Sequence, residues 1–199
     1  MDRLGACEAS RVVGEARLAF IVVSHTASVE NISRVKGYAG RTGRLDVVVR
    51  SLLVTSYLNS AIFYGVLERY EPPILLCYRG SCGPFSSEKE ALIEVIRALK
   101  GRSPCLQACR AGLEDIVVAL KSAGYRVYLL HEKGKDYSGI PGFPKPRSAF
   151  ILGPHVDLPS DRLREIEALC DEKVSVGPVS LLTSHVIAFI GWLMDVRGL

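Results

Sequence analysis

The 199-residue sequence is poor in side-chain amides and has no apolar segment at its start. Its only amides are Asn31, Asn59 and Gln107, a scarcity that is typical of proteins adapted to high temperature. Residues 1–8 contain no apolar run of the kind that a signal peptide needs. We therefore expect a protein that is not exported, and we predict a cytoplasmic location.

Phosphate-binding glycine motifs and an unbroken membrane-spanning stretch are also missing. Neither GxGxxG nor GxxxxGK[ST] occurs, which argues against a Rossmann dinucleotide site and a P-loop. The most apolar stretch, 179–194, carries Ser180, Thr183, Ser184 and His185, and it falls short of about 18 unbroken apolar residues. We predict a buried helix here and no membrane span. Because most of its circumference is apolar, this helix favours a partner subunit as its cover.

The six cysteines have spacings that match no zinc pattern. They stand at positions 7, 77, 82, 105, 109 and 170. Buried free thiols are the favoured interpretation. A four-cysteine metal site is the weaker alternative, and we predict no metal. Disulfides stay open as well, because intracellular disulfides occur in proteins of hyperthermophiles.

The net charge of +4 is concentrated in one segment. Asp46 is the one acidic residue in the segment 31–50, which contains five basic residues and so has the same net charge, +4, as the whole chain. The five basic residues are Arg34, Lys36, Arg41, Arg44 and Arg50. A second basic run, Lys133, Lys135, Lys145 and Arg147, flanks Asp136. Such runs are either solvated surface or a footprint for a phosphate backbone.

Apolar patterning predicts strands that alternate with helices. The predicted strands are 18–24, 61–67, 74–78, 125–130, 148–152 and 174–176, and the predicted helices are 46–58, 88–100, 106–123, a charged helix before residue 174, and 179–194. This alternation is typical of an α/β fold with a mostly parallel sheet covered by helices on both faces.

Two of the late strands end in glycine, at Gly153 and Gly177. A glycine at a strand end lets backbone approach a ligand closely, because no Cβ stands in the way. Ligands of α/β sheets bind outside the carboxyl ends of the strands. Together with residues 130–134, these two turns predict a pocket made largely of backbone.

Several motifs resemble those of the archaeal tRNA pseudouridine N1-methyltransferases of the SPOUT superfamily. They are Gly43-Arg44-Leu45-Asp46 followed by Arg50, Phe63 to Leu67, Tyr128 to His131, Phe150 to His155, and Val174 to Pro178 continuing through His185. The resemblance covers about 17–195 and is weakest across 83–112. It implies a methyltransferase domain over 17–199, with residues 1–16 as an N-terminal extension.

The resemblance implies a fold, a cofactor and a partner. It implies a C-terminal trefoil knot over about 125–195 and a homodimer formed through the last helix. S-adenosylmethionine would be bound in the knot mainly by backbone, at Leu130, Gly153, Val174, Ser175, Val176, Gly177, Pro178 and Val179. The implied reaction is N1-methylation of pseudouridine 54 in the T-loop of tRNA. The T-arm would be held by Arg34, Lys36, Arg41 and Arg44.

Asp46 and Arg50 are the candidate catalytic residues. Removal of the N1 proton needs an acceptor, and Arg50 lies one helical turn from Asp46, where it would position that carboxylate or hold a phosphate. The alternative is a surface ion pair without catalytic meaning. Of the histidines, His185 is interpreted as a core or interface residue, and His155 is a weaker candidate for the pocket.

The chain departs from the family pattern after His185. The family has a cysteine there and this chain has Val186, so a thiol nucleophile is excluded at that position. Two alternatives therefore stay open beside the tRNA enzyme. One is a SPOUT methyltransferase that acts on ribosomal RNA, and the other is an RNA-binding relative that has lost catalysis.

Overall fold

The described residues of the computed structural model, which are 4–7, 16–30, 32, 42–80, 82–153 and 158–198, form one seven-stranded sheet and five α-helices. In chain order the elements are β1 (Leu18–Ser24), α1 (Leu45–Thr55), β2 (Ala61–Leu67), β3 (Ile74–Tyr78), α2 (Glu88–Leu99), β4 (Leu106–Arg110), α3 (Leu113–Ser122), β5 (Arg126–Asp136), β6 (Ser148–Leu152), α4 (Ser160–Leu169), β7 (Glu172–Ser175) and α5 (Thr183–Val196).

The sheet has the strand order β4-β3-β2-β1-β6-β5-β7. The pairs β1–β2, β1–β6, β5–β6 and β5–β7 are parallel. Only β3 and β4, at one edge, add antiparallel pairs. The prediction of an α/β fold with a mostly parallel sheet is confirmed, and the carboxyl ends of β5, β6 and β7 lie side by side.

Helices cover both faces of the sheet. In β1, Phe20 and Val22 belong to one core cluster, which also contains residues of α1, α2 and α5. Ile21 and Val23 point to the opposite cluster, which contains residues of α3 and α4. Every residue of β1 is buried, as expected for a central strand that alternates between two covered faces.

The predicted helix over 106–123 is wrong in its first part. Residues Leu106–Arg110 form β4, which pairs antiparallel with β3, and α3 begins only after Gly112. Helix propensity of these residues is a weak local preference. It is overridden because the free edge of β3 offers a full set of backbone hydrogen bonds, and because Leu106 and Cys109 become buried when the segment pairs there.

The C-terminal helix is shorter than predicted. Residues 176–182, which were predicted to lie partly in the helix, form a turn and a loop. The helix therefore begins at Thr183, and it contains 14 residues. A membrane span needs about 20 residues. Within the part of the chain that the structure describes, no helix combines the length and the apolarity needed to cross a bilayer.

Four of the six cysteines form two disulfides. Cys7 is bonded to Cys109 and Cys82 to Cys105, whereas Cys77 and Cys170 are free. The interpretation as free thiols is therefore wrong for these four. The spacings alone did not reveal the pairing, because it depends on β4 being a strand that brings Cys109 beside the N-terminal segment.

Candidate functional site

A cavity of about 370 Å³ opens beside the middle of β5 and the carboxyl ends of β6 and β7. The predicted site residues that line it are Arg44, Arg50, Leu130, Gly153, Ser175, Val176, Gly177 and Val179. The strand ends and α1 thus come together around one space, although residues 44 and 179 are far apart in the chain.

Other predicted residues lie elsewhere. Val174 is fully buried beneath the cavity, and Pro178 is exposed outside its lining. The predicted RNA contacts Arg34, Lys36 and Arg41 lie outside the described residues, as does His155. The described part of the predicted RNA-binding segment therefore contributes Arg44 to the cavity.

The first wall of the cavity is a bulge within β5, not the end of a strand. Leu130 and Lys135 both pair with Val174 of β7, so residues 131–134 loop out between them. His131 and Glu132 of this bulge line the cavity. A Cβ on Gly134 would collide with the backbone of Val174. Gly134 is thus a structural requirement of the site that the sequence analysis missed.

The two glycine turns differ in what they require. A Cβ added at Gly153 would stand only 2.5 Å from Leu158 Cδ1, so this glycine leaves room for a side chain that packs over it. A Cβ added at Gly177 would meet Leu181 Cδ1 at 3.9 Å, an ordinary contact. The contact at Gly153 is with the end of a flexible side chain, which can shift, so neither turn has glycine imposed on it by neighbouring backbone.

Asp46 lies beside the cavity between two guanidinium groups. It stands in the first turn of α1, where the helix dipole stabilises a carboxylate. Its Oδ1 is 3.5 Å from Arg44 Nε, and its Oδ2 is 4.0 Å from Arg50 Nη2. Arg50 Nε also lies 3.4 Å from Glu88 Oε2 at the start of α2. Asp46 is not among the lining residues, whereas both arginines are.

The start of α5 closes the cavity. Thr183, Ser184 and Val186 line it, while His185 is exposed and is not among the lining residues. Val186, the residue after His185, therefore presents an apolar side chain to the cavity. The neighbouring Ser175 uses its hydroxyl within the turn, since Ser175 Oγ donates to Gly177 O at 2.7 Å.

The lining fits a nucleoside-sized cofactor bound without a phosphate site. Its volume falls within the range of about 300–1,000 Å³ that is usual for small-molecule sites. Most lining groups are apolar side chains and backbone, and the charged side chains among the described lining residues are Arg44, Arg50 and Glu132. Among the described residues, no group of three or more His, Cys, Asp or Glu is placed to hold a metal ion.

A mostly parallel sheet with a ligand cavity at its carboxyl ends defines an α/β protein that binds a small molecule at the usual edge of its sheet. Comparison with known families places it more closely. The chain belongs to the family described as "Putative SAM-dependent RNA methyltransferase", which it matches over residues 18–198. The resemblance found in the sequence is confirmed.

Two relatives illustrate the match. The tRNA (pseudouridine(54)-N(1))-methyltransferase of Aeropyrum pernix is 34% identical over 178 residues, which cover 87% of this chain and 92% of the relative. The enzyme of the same description from Pyrococcus abyssi is 29% identical over 204 residues, covering 90% and 98%. Both alignments run through nearly the whole length of each protein.

Solved structures show the same fold. Archaeoglobus fulgidus Nep1 bound to S-adenosylhomocysteine superposes with a TM-score of 0.59 at 20% identity, over 91% of this chain and 99% of Nep1. The SpoU methyltransferase AviRb of Streptomyces viridochromogenes in complex with AdoMet has a TM-score of 0.52 at 14% identity, over 97% and 62%. At these identities the likeness concerns the fold.

The contrast between Gly134 and Gly177 gives a direct test of the cavity geometry. Gly134→Ala is expected to lower the free energy of unfolding by about 1–3 kcal/mol, because β5 and β7 must separate to admit the methyl group. Gly177→Ala is expected to change it by less than about 1 kcal/mol. Urea unfolding measures both. Equal stability of the two variants would contradict the close approach of Gly134 to Val174.

Proposed function

We propose that this protein transfers a methyl group from S-adenosylmethionine to N1 of pseudouridine 54 in the T-loop of tRNA. The observation that carries the proposal is the 34% identity to the Aeropyrum pernix enzyme along 92% of that relative. The cavity supports it, because it places backbone and apolar groups around a nucleoside-sized space and two arginines at its edge.

The cofactor supplies an electrophilic methyl group on its sulfonium, and the products are S-adenosylhomocysteine and N1-methylpseudouridine. The protein would hold it with the β5 bulge, the Gly153 turn and residues 174–179. Asp46 would accept the proton that leaves N1, which is a general-base role. Arg50 would orient Asp46, because its ion pair with Glu88 holds the guanidinium group beside the Asp46 carboxylate. Arg44 would bind a phosphate of the RNA.

Labelled S-adenosylmethionine and two matched T-arm hairpins, one with pseudouridine and one with uridine at the target position, test the proposal. We expect label only in the pseudouridine hairpin, because N1 of uridine is bonded to the ribose and carries no proton. RNA binding should weaken steeply as salt is raised, since arginine and lysine contacts to phosphates release counterions.

The same experiment separates the alternatives. Label in both hairpins would contradict the pseudouridine assignment. Binding of S-adenosylhomocysteine and of RNA without any transfer would favour the inactive relative, for which Val186 is the motivation. Transfer to a ribosomal RNA fragment in preference to the tRNA hairpin would favour the ribosomal substrate.

We further propose a homodimer that forms through α5 and the loop before it. Large apolar side chains are exposed on this surface, namely Val179, Leu181, Leu182, Trp192 and Val196. A contiguous exposed apolar patch marks an interaction site in a soluble protein, and these side chains are proposed to form one. A second copy of the chain is the proposed cover. A chain that sediments as a monomer at micromolar concentration would contradict this.

Three further parts of the proposal concern the whole chain. The knot is proposed over about 125–195, where β5, β6, β7 and α5 surround the cavity; an experimental chain trace in which α5 passes through no loop would contradict it. Residues 1–16 are proposed as an extension of a methyltransferase domain that spans 17–199. Since tRNA is the proposed substrate, the proposed location is cytoplasmic, and cell fractionation tests it.

A further inference from the structure

Helix α4 forms one wall of the cavity although little of it is buried. Leu163 and Ile166 of α4 and Leu158 just before it line the cavity. Within the helix, only Ile166 is fully buried. Leu158 packs on Gly153, where an added Cβ would lie 2.5 Å from its Cδ1. The shape of the cavity therefore depends on where α4 is held.

One side chain of α4, Arg162, reaches across to the sheet and to α3. Its Nη2 lies 2.5 Å and its Nε 2.9 Å from Glu68 Oε1, directly after β2. Its Nη1 lies 2.8 Å from Glu114 Oε1 in the first turn of α3. The side chain of Arg162 is 19% exposed and that of Glu68 8%. Burial makes the pair of Arg162 with Glu68 far less sensitive to solvent than a surface ion pair, whereas Glu114 is 50% exposed.

Arg162 is surrounded by carboxylates, and it is the positive charge that holds them together. Glu165, one turn further along α4, also accepts a hydrogen bond from Nη1 at 2.9 Å, so a single guanidinium serves three carboxylates. The hydrogen bonds to Glu68 raise the pKa of Arg162, and those to Glu114 and Glu165 add to this against the opposing effect of burial. The other oxygen of Glu68, Oε2, faces His25 Nδ1 at 3.6 Å and has no hydrogen-bond partner among the described residues.

We propose that Arg162 is a positioning residue that fixes the α4 wall of the cofactor cavity and thereby sets the affinity for S-adenosylmethionine. Its guanidinium group bridges Glu68, directly after β2, and Glu114 in α3. Leu158 lies four residues before Arg162 in the chain, and Ile166 lies one helical turn after it. Displacement of the guanidinium group moves Leu158 away from Gly153 and opens the cavity. The inference rests on the proposed function, because it concerns the same cavity and the same cofactor.

Titration with S-adenosylhomocysteine, together with steady-state kinetics, tests the role of Arg162. Arg162→Met is expected to raise the dissociation constant of S-adenosylhomocysteine and the KM for S-adenosylmethionine by about tenfold, because small displacements of binding groups have large effects. KM for the RNA hairpin should stay unchanged. Arg162→Lys should restore part of the affinity, since an ammonium group pairs with Glu68 but cannot span Glu68 and Glu114 together.

Arg164→Met is the matched control. Arg164 lies two residues further on the same helix and pairs with Asp161, but both side chains are more than three quarters exposed. The control variant is expected to bind S-adenosylhomocysteine within about twofold of the unchanged protein. Circular dichroism establishes that each variant is folded at the temperature of the titration. If Arg162→Met fails to fold, the comparison is made with Arg162→Lys.

The possible outcomes are distinct. Wild-type affinity for S-adenosylhomocysteine in a folded Arg162→Met or Arg162→Lys variant would overturn the inference and leave the proposed function standing. Weaker RNA binding with unchanged cofactor affinity would also overturn it and would place Arg162 on the RNA surface. Failure of the unchanged protein to bind S-adenosylhomocysteine would overturn the proposed function together with the inference.

Discussion

Replacement of Asp46 by asparagine is expected to lower kcat for methyl transfer by a factor of about 10²–10⁴, the usual contribution of a positioned general base. Asparagine keeps the size of the side chain and a carbonyl oxygen for Arg44 and Arg50, but it cannot accept the N1 proton. The KM for the cofactor should change little, since Asp46 is not among the residues that line the cavity. Initial rates with the pseudouridine hairpin measure the effect.

Asp161→Asn provides the control for this experiment. Asp161 also pairs with an arginine, but it lies on the exposed face of α4 with a side chain that is 79% exposed. Its replacement should leave kcat unchanged. Full turnover of the Asp46→Asn variant would contradict the catalytic role and leave the ion pairs with Arg44 and Arg50 as the function of Asp46. A rise in the RNA KM at constant kcat would instead assign Asp46 to substrate binding.

Loss of the Cys7–Cys109 disulfide is expected to lower the free energy of unfolding by about 4–5 kcal/mol. The two cysteines are 102 residues apart, and a crosslink that closes so long a loop removes much conformational freedom from the unfolded chain. For a protein of this size, the loss corresponds to a fall in Tm of roughly 10–20 °C. The Cys7→Ser/Cys109→Ser double variant, unfolded in guanidinium under non-reducing conditions, measures it.

The remaining cysteines supply graded controls. Cys82–Cys105 closes a loop of 23 residues, for which the same relation gives about 3.4 kcal/mol. Cys170→Ser removes a half-buried free thiol and is expected to have a much smaller effect. Equal Tm values for the unchanged protein with and without reductant would contradict the stabilising role of both disulfides.

The Cys7–Cys109 bond also holds a segment that is otherwise attached by two backbone hydrogen bonds and by the packing of Leu4 on the core. Cys7 N donates to Arg110 O at 3.1 Å, and Arg110 N donates to Gly5 O at 2.9 Å. A pair of hydrogen bonds contributes only a few kcal/mol at most. In the double variant, proteolysis within residues 1–16 should therefore become faster, while residues 18–110 keep their strand pairing.

The fold was predictable where burial is complete on both faces of the sheet. The bounds predicted for β1, β2 and β3 agree with the structure because each is a short, mostly apolar run that is followed by polar or turn residues. The edge strand β4 was missed because Leu106–Arg110 carries no alternation of its own. It becomes a strand through its partner β3, which is not visible in the local pattern.

The position of the site could be predicted from the sequence, but the contacts that hold its walls in place could not. Strand ends and glycines located the cavity, because parallel strands bring their carboxyl ends to one edge. The bulge that makes Gly134 indispensable depends on the register of β5 against β7. The bridge made by Arg162 depends on Glu68, 94 residues earlier. Contacts of such separation leave no local pattern in a single sequence.

The distribution of the cavity along the chain has a consequence for its synthesis. Apart from Arg44, directly before α1, and Val47 and Arg50 within it, the described residues that line the cavity lie between positions 129 and 186. Thr183, Ser184 and Val186, which close it, belong to the last helix. Since translation proceeds from the N-terminus, strands β1 to β4 leave the ribosome while the binding site still lacks most of its walls. Competence to bind the ligand is thus acquired only after the chain has been made as far as the start of α5, and a chain that stops before residue 183 lacks it.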